Sequence, residues 1–411
     1  MRVLLTEGSG LASRQVATRL DELGHEVLAA VSDPLCLARF TRHVRHLVRV
    51  PPFGADPFGW FDAVLERAVA LGVDVVFPTQ EQVTVLSHEL PRLRAAGLST
   101  AVPPFAALAR VQDKVTARAT LEAAGVAQPR SVVVRDRSDL EAWSAFPAFV
   151  KAPIGTASSA VRRVEGPGEL AAAVPSLLGR EQAVLVQEGA EGTLVMAQSI
   201  FDAGTMIAFH ANERVREGVN GSASVKRSTE LPELRAAMDR LGSRLAWHGA
   251  LSLDAIVTAG GPLVIDVNPR LVEPANAVAA GTDLVGLLLG VATGTPPLRG
   301  AESRPGVTTH QLLMAVLGAA QHTGRRRAVV GEVAAALAHR AACTGSHEEL
   351  LPLRGDWRTL TLPVLATMAT LLRPASYRWF AQGAVASYAL SAEGWRALHG
   401  STPGGVTPGA S

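Results

Sequence analysis

Cysteine is nearly absent from this chain: Cys36 and Cys343 are the only two in 411 residues. They lie far apart and form no CxxC spacing, which excludes a cysteine-based metal centre, implies a reducing compartment and offers no evident nucleophile. A surplus of charge is lacking as well. The 39 basic and 37 acidic residues leave a formal net charge of +2, so no broad field toward nucleic acid is expected. Lysine is scarce beside arginine. Long apolar runs are missing too: "TLTLPVLATMATLL" (359–372) is too short to span a bilayer and carries a proline. The N-terminus "MRVLLTEGSG" has no charged leader before its apolar stretch. The expectation is a cytoplasmic protein with no stable membrane insertion. What is present is 48% hydrophobic composition and enough length for two or three domains with a large core.

"RVLLTEGSG" reads as a buried strand entering a glycine turn, "LASRQVATRLDELG" as a helix, and the residues after Gly24 as a second strand. The pattern returns at "FDAVLERAVALGVDVVFPT". Such alternation implies an open parallel α/β sheet over the first hundred residues. "GSGLAS" holds part of a GxGxxG fingerprint with Ser13 in place of the third glycine, and Asp33 is available as the acid after the second strand. Both a dinucleotide turn and a plain tight turn fit. Gln80 and Glu81 follow the later strand, where open α/β sheets bind ligands; a solvated loop fits equally.

"RVQDKVTARATLEAAGV" (110–126) is predicted as a helix, followed by strands at "RSVVVRD" and "PAFVKAP". The second strand ends at Lys151 before "IGTASSAVRRV", a loop of small residues without GK[ST]; backbone N–H groups and a lysine suit an anion there. "AVLVQEGAEG" is another buried strand, breaking at Glu188-Gly189. "GALSLDAIVTAGGPLVIDVNPR" predicts an antiparallel hairpin turning at "TAGG". Asp266, Asn268 and Arg270 recur at every second position, which on a strand sends them to one face. Asp254 comes from the paired strand. Two carboxylates and an amide oxygen form a hard donor set of the kind Mg²⁺ prefers; without a cation they would repel one another.

These pieces together resemble the ATP-grasp superfamily, of the carboxylate–amine ligase type. They are "QDK" (112–114), "FVKAPIGTASS" (149–159), "VLVQEGAEG" (184–192) and "LSLDAIVTAGGPLVIDVNPRL" (251–271), running through roughly 105–290. The resemblance implies an α/β (α+β) fold: a Rossmann-like domain over 1–104, then an ATP-grasp domain over 105–300 with antiparallel sheets. It divides the latter into a lid subdomain, 105–187, and a metal and substrate subdomain, 188–300. It implies ATP and Mg²⁺ as cofactors. Lys114 and Lys151 match the lysines on the α- and β-phosphates, and Gly155, Thr156, Ala157 and Ser158 match the mobile loop over the phosphates. Gln187, Glu188 and Gly189 match the segment that holds adenine, and Asp254, Asp266 and Asn268 the metal ligands. Arg270 matches the base facing phosphate and substrate. Position 195 is Val where the family often has a ribose-binding acid, leaving Glu191 as the substitute; Asp266 stands where Glu is usual.

The implied chemistry activates a carboxylate as an acyl phosphate and passes it to an amine; a kinase-like phosphotransferase and a non-catalytic nucleotide-binding protein are the alternatives. The segment "HANERVREGVNGSASVKRS" (210–228) is expected to be a basic loop around a "GVNGSAS" turn, the candidate substrate grip through Arg214 and Lys226. Glu273 and Asn276 are placed toward the acceptor pocket, and His210 and His248 read as structural. Residues 301–398 are predicted mainly helical, packing on the catalytic domain, forming a homodimer contact or touching a membrane. The Gly/Pro/Ser/Thr-rich tail, 399–411, is expected to be disordered.

Overall fold

In this computed structural model the described residues are all of 1–411 except 141, 156–159, 179–182, 296–301, 351–354 and 405–411. Strands β1 (Arg2–Leu5), β2 (Glu26–Val31), β3 (His46–Arg49) and β4 (Val75–Phe77) form a wholly parallel sheet in the order β3-β2-β1-β4. Parallel strands need crossovers, supplied by the helices Leu11–Glu22 and Pro57–Ala70. The first ends where the sequence predicts, with Gly24 at φ +84° leading into β2.

Strands β5 (Ser131–Val134), β6 (Ala148–Lys151), β7 (Val161–Val164) and β8 (Val184–Glu188) make an antiparallel sheet ordered β5-β8-β6-β7. It has its own small core, with Val150, Val186, Leu170 and Val174 among its members. The expected single helix over 110–126 is instead two, Phe105–Gln112 and Lys114–Ala123. Asp113 separates them: its backbone is extended and its side chain accepts from the N–H groups of Val115 and Thr116. An N-cap aspartate competes with helix continuation.

The largest sheet has seven strands: β9 (Thr193–Asp202), β10 (Thr205–Glu217), β11 (Ala223–Ser228), β12 (Gly249–Thr258), β13 (Gly261–Asn268), β14 (Thr308–His310) and β15 (His347–Glu348). Their order is β13-β12-β9-β10-β11-β14-β15. The "TAGG" hairpin forms as predicted, Thr258 pairing with Gly261. The basic stretch 210–228 is not a loop but the β10–β11 hairpin.

Residues after 300 are mainly helical, as expected, yet β14 and β15 extend the central sheet. The helix Ala392–His399 returns to the N-terminal domain, burying Trp395 and Leu398 in a core shared with Leu4, Val76 and Trp247. The tail expectation needs correcting at its start. His399 closes that helix, and the Ser401 hydroxyl sits 3.0 Å from His88 Nε2 and 2.9 Å from the Leu398 carbonyl. The two sheets of the body share two hydrophobic cores, while the β5–β8 sheet keeps its own.

Candidate active site

The β12–β13 hairpin builds the centre. Asp254 and Asp266 stand directly opposite one another, and Asn268 Nδ2 donates to Asp254 Oδ2 at 3.4 Å. Asp254 pairs with Asp266 while Ala255 pairs with Val264, leaving Ile265 as the extra residue of a bulge. The bulge frees the Ile265 carbonyl, and Lys151 Nζ donates to it at 2.7 Å. The same ammonium donates to Gln187 Oε1 at 2.7 Å. Lys151, at the end of β6, therefore ties the β5–β8 sheet to β13. Its pKa falls to about 8: burial lowers it first, then the two aspartates raise it while Lys114 lowers it.

Lys114 opens its helix, donates to the Gly155 carbonyl at 3.1 Å, and lies 3.8 Å from Asp266. Burial pushes Asp254 up to about 7, reinforced by Asp266 and opposed by Arg270, Asn268 and Lys151. Two carboxylates forced together with only partial compensation fit a divalent cation, with the Asn268 carbonyl as the third hard donor. No group of three or more His, Cys, Asp or Glu suited to a metal occurs among the described residues; the set here is a mixed one, two carboxylates and an amide.

Gly155 is pinched against Ala160, whose Cβ would lie 2.2 Å from any Cβ added at 155. Thr156, Ala157 and Ser158 lie outside the described residues. At the end of β8, the N–H groups of Glu188 and Gly189 are bonded to the carbonyls of Arg130 and Pro147. Recognition of a base there must use other backbone groups. Glu191, two residues beyond Gly189, is exposed.

Arg270 is buried, with one Nη 3.3 Å from Glu81 of the N-terminal domain and its Nε unpaired. Glu81 also accepts from Gln112 at 2.8 Å. The proposed substrate grip looks different from its expectation. Arg214 and Lys226 are cross-strand partners, but their side chains part company. Arg214 donates to the Gly221 carbonyl at 2.7 Å within its own hairpin. Lys226, 4% exposed, is held between Glu273 and Glu349. Burial alone would depress it, yet the two carboxylates outweigh burial and raise it to about 12. Neither therefore presents a free cation. Glu273 adopts φ +53°, a costly conformation for a non-glycine residue. His210 is buried and bonded to Asn276 and Ser303, as a structural histidine would be.

Several residues of this region escape sequence reasoning. Glu349 accepts from Gln15, Lys226, Thr309 and Gln311, joining the N-terminal domain, the central sheet and the C-terminal region. Tyr388 is buried from the far end of the chain. Burial pushes its hydroxyl up, Arg270 opposes this, and Glu7, Glu81 and Glu273 add to it. Glu7 also settles the glycine turn: its carboxylate accepts from the N–H groups of Ser9 and Gly10 and from the Ser13 hydroxyl. The turn has spent its donors on an internal anion, which disfavours a dinucleotide there. One sequence signal was available. The chain has only three lysines, Lys114, Lys151 and Lys226, and all three lie here.

Residues 111–274 match the ATP-grasp domain. Over that span the chain is similar to the ATP-grasp superfamily. The matched span encloses all three lysines and the Asp254–Asp266–Asn268 set. The chain is 30% identical over 229 residues to N5-carboxyaminoimidazole ribonucleotide synthase of Mycobacterium bovis and of Mycobacterium tuberculosis, covering 53% of this chain. Only 52% of those proteins is covered, so the chain spans about half the length of the curated relatives it matches. The ATP-grasp fold is shared with N5-carboxyaminoimidazole ribonucleotide synthetase from Thermus thermophilus: TM-score 0.57, 20% identity, 75% of this chain and 81% of that one. It is also shared with the biotin carboxylase domain of Hydrogenobacter thermophilus 2-oxoglutarate carboxylase: TM-score 0.59, 16% identity, 75% and 73%. No helix among the described residues is long and apolar enough to cross a membrane.

Proposed function

We propose that this chain is an ATP- and Mg²⁺-dependent ligase that activates a carboxylate as an acyl phosphate and joins it to an amine. The observation carrying this reading is the opposed pair Asp254 and Asp266 with Asn268 beside it, faced by Lys114 and Lys151. A Mg²⁺ held by those three residues would neutralise phosphate charge. Phosphoryl transfer requires alignment and charge neutralisation more than a protein nucleophile. Lys114 and Lys151 hold the phosphates, and Gln187, Glu188, Gly189 and Glu191 line the base and ribose side. Arg270, with an unpaired Nε, steadies the transferred group or the substrate carboxylate. Lys226 acts by fixing Glu273 on the substrate side, with Arg214 bracing the adjacent hairpin.

The curated relatives are named as synthases of a carboxyamino ribonucleotide, so bicarbonate belongs among the candidate carboxylates beside amino, hydroxy and aromatic acids. ADP release should require one carboxylate together with one amine, and hydroxylamine should divert the acyl group to a hydroxamate. A stable phosphoester with no acyl trapping overturns the ligase in favour of a phosphotransferase.

A further inference from the structure

The helix Thr361–Leu372 buries Pro363, Ala366 and Thr370, leaving Val364, Leu365, Met368 and Leu372 exposed. At about 100° per residue those four fall within a single sector of roughly 100°, opposite the buried face. Four apolar side chains in one solvent-facing stripe are the reverse of what a surface helix normally shows. Two tryptophans extend the patch. Trp357 precedes the helix and is 74% exposed; Trp379, on the following helix, is 73% exposed and packs edge-on against Phe380 at 4.7 Å.

The charge along this stretch of the sequence has one sign. From Trp357 to Ala392 the sequence holds no Asp or Glu, but it does hold Arg358, Arg373 and Arg378, all exposed. At the C-terminal end of the helix, Arg326 donates to the Leu372 carbonyl at 3.0 Å, with Arg325 and Arg327 exposed beside it. At the N-terminal end, Arg42, Arg45 and Arg358 line a cleft of about 370 Å³ next to Trp357. The acid in that cleft, Asp356, is buried and already accepts from Thr41, the Arg42 N–H and Arg14.

We propose that this face docks on an anionic lipid surface, the apolar stripe and tryptophans entering the interface while the arginines at both ends meet lipid phosphates. Apolar residues flanked by arginine and interfacial tryptophan are the signature of a helix lying in the membrane plane. A second copy of the chain fits less well, because self-pairing would set arginine against arginine with no acid to offset them.

Sedimentation of the full-length protein with vesicles tests this. Vesicles containing phosphatidylglycerol should bind it at least about tenfold more tightly than pure phosphatidylcholine, with the difference lost at high salt. Leu365→Glu/Met368→Glu should weaken binding by about tenfold or more, and Arg325→Ser/Arg327→Ser/Arg373→Ser by roughly fivefold per arginine. ADP formation in solution should be unchanged in both variants, which separates this result from the ligase reading. On the intact protein, tryptophan fluorescence should shift to the blue with anionic vesicles and not with neutral ones, a readout free of any folding defect in a variant. Failure of the intact protein to bind anionic vesicles, or equal binding by a folded stripe variant, overturns the proposal. So does a stripe-dependent dimer without vesicle binding.

Discussion

Lysine is the informative residue here because arginine has taken almost every other cationic position. An ammonium is a compact point charge with three rotatable donors, whereas guanidinium is a wide planar fork. Lys151 fits between Gln187 Oε1 and the Ile265 carbonyl, 2.7 Å from each. Lys151→Arg keeps the charge but not the fit, so ADP formation should fall on the order of 10²-fold, as should Lys151→Met. A variant that keeps near-native rates would contradict the assignment. A second residue-scale consequence concerns pH. Burial lowers His210 to about 4 from an ordinary 6.5, with the Asn276 hydrogen bond opposing the shift. Below 6.5 the unfolded chain binds a proton that the folded chain refuses. His210 therefore costs nothing above pH 6.5, and stability is lost as pH falls toward 4, by about 3 kcal/mol at most. Urea unfolding of His210→Gln should show a flatter pH slope in that window. At this scale the grouping of Asp254, Asp266 and Asn268 was legible from their spacing, and the approach of Lys114 to Asp266 was expected only through the family resemblance. Glu349 was not legible, because 123 residues separate it from Lys226 in sequence.

Among the elements, hairpins and crossovers followed from local chemistry, whereas register did not. The "TAGG" turn and the helix closed by Gly24 were readable because the residues making them are neighbours. The bulge at Ile265 was hidden, since a bulge exists only relative to a partner strand, and it is what offers Lys151 its carbonyl. The 210–228 stretch read as a loop because its charges mask a strand period; Arg227–Glu213 pairing across the hairpin neutralises part of that charge. Packing between elements brings its own prediction. The helix Pro232–Arg244 crosses β9 at Gly242, where an added Cβ would lie 2.2 Å from the Phe201 ring. Phe201 is fully buried and cannot give way cheaply. Gly242→Ala should destabilise by roughly 1–3 kcal/mol, read as a lower unfolding midpoint. An unchanged midpoint would show that this contact is not tight.

Across the whole molecule, the C-terminal region completes the site rather than merely covering it. Glu349 binds side chains from three parts of the chain, and Tyr388 is buried from the chain's far end. Glu349→Ala would leave Lys226 buried with one carboxylate instead of two, costing roughly 3 kcal/mol. Chemical denaturation measures that loss, and a native midpoint would show that the network is dispensable. The broad architecture was legible in sequence, but not this closure, because it depends on how distant segments return. The central claim is that a carboxylate oxygen becomes the phosphorylated atom. Whichever carboxylate supports ADP release should be supplied with its oxygens labelled as ¹⁸O, and the released inorganic phosphate analysed by mass spectrometry. The account predicts one ¹⁸O in each phosphate formed with product; phosphate free of label would contradict it.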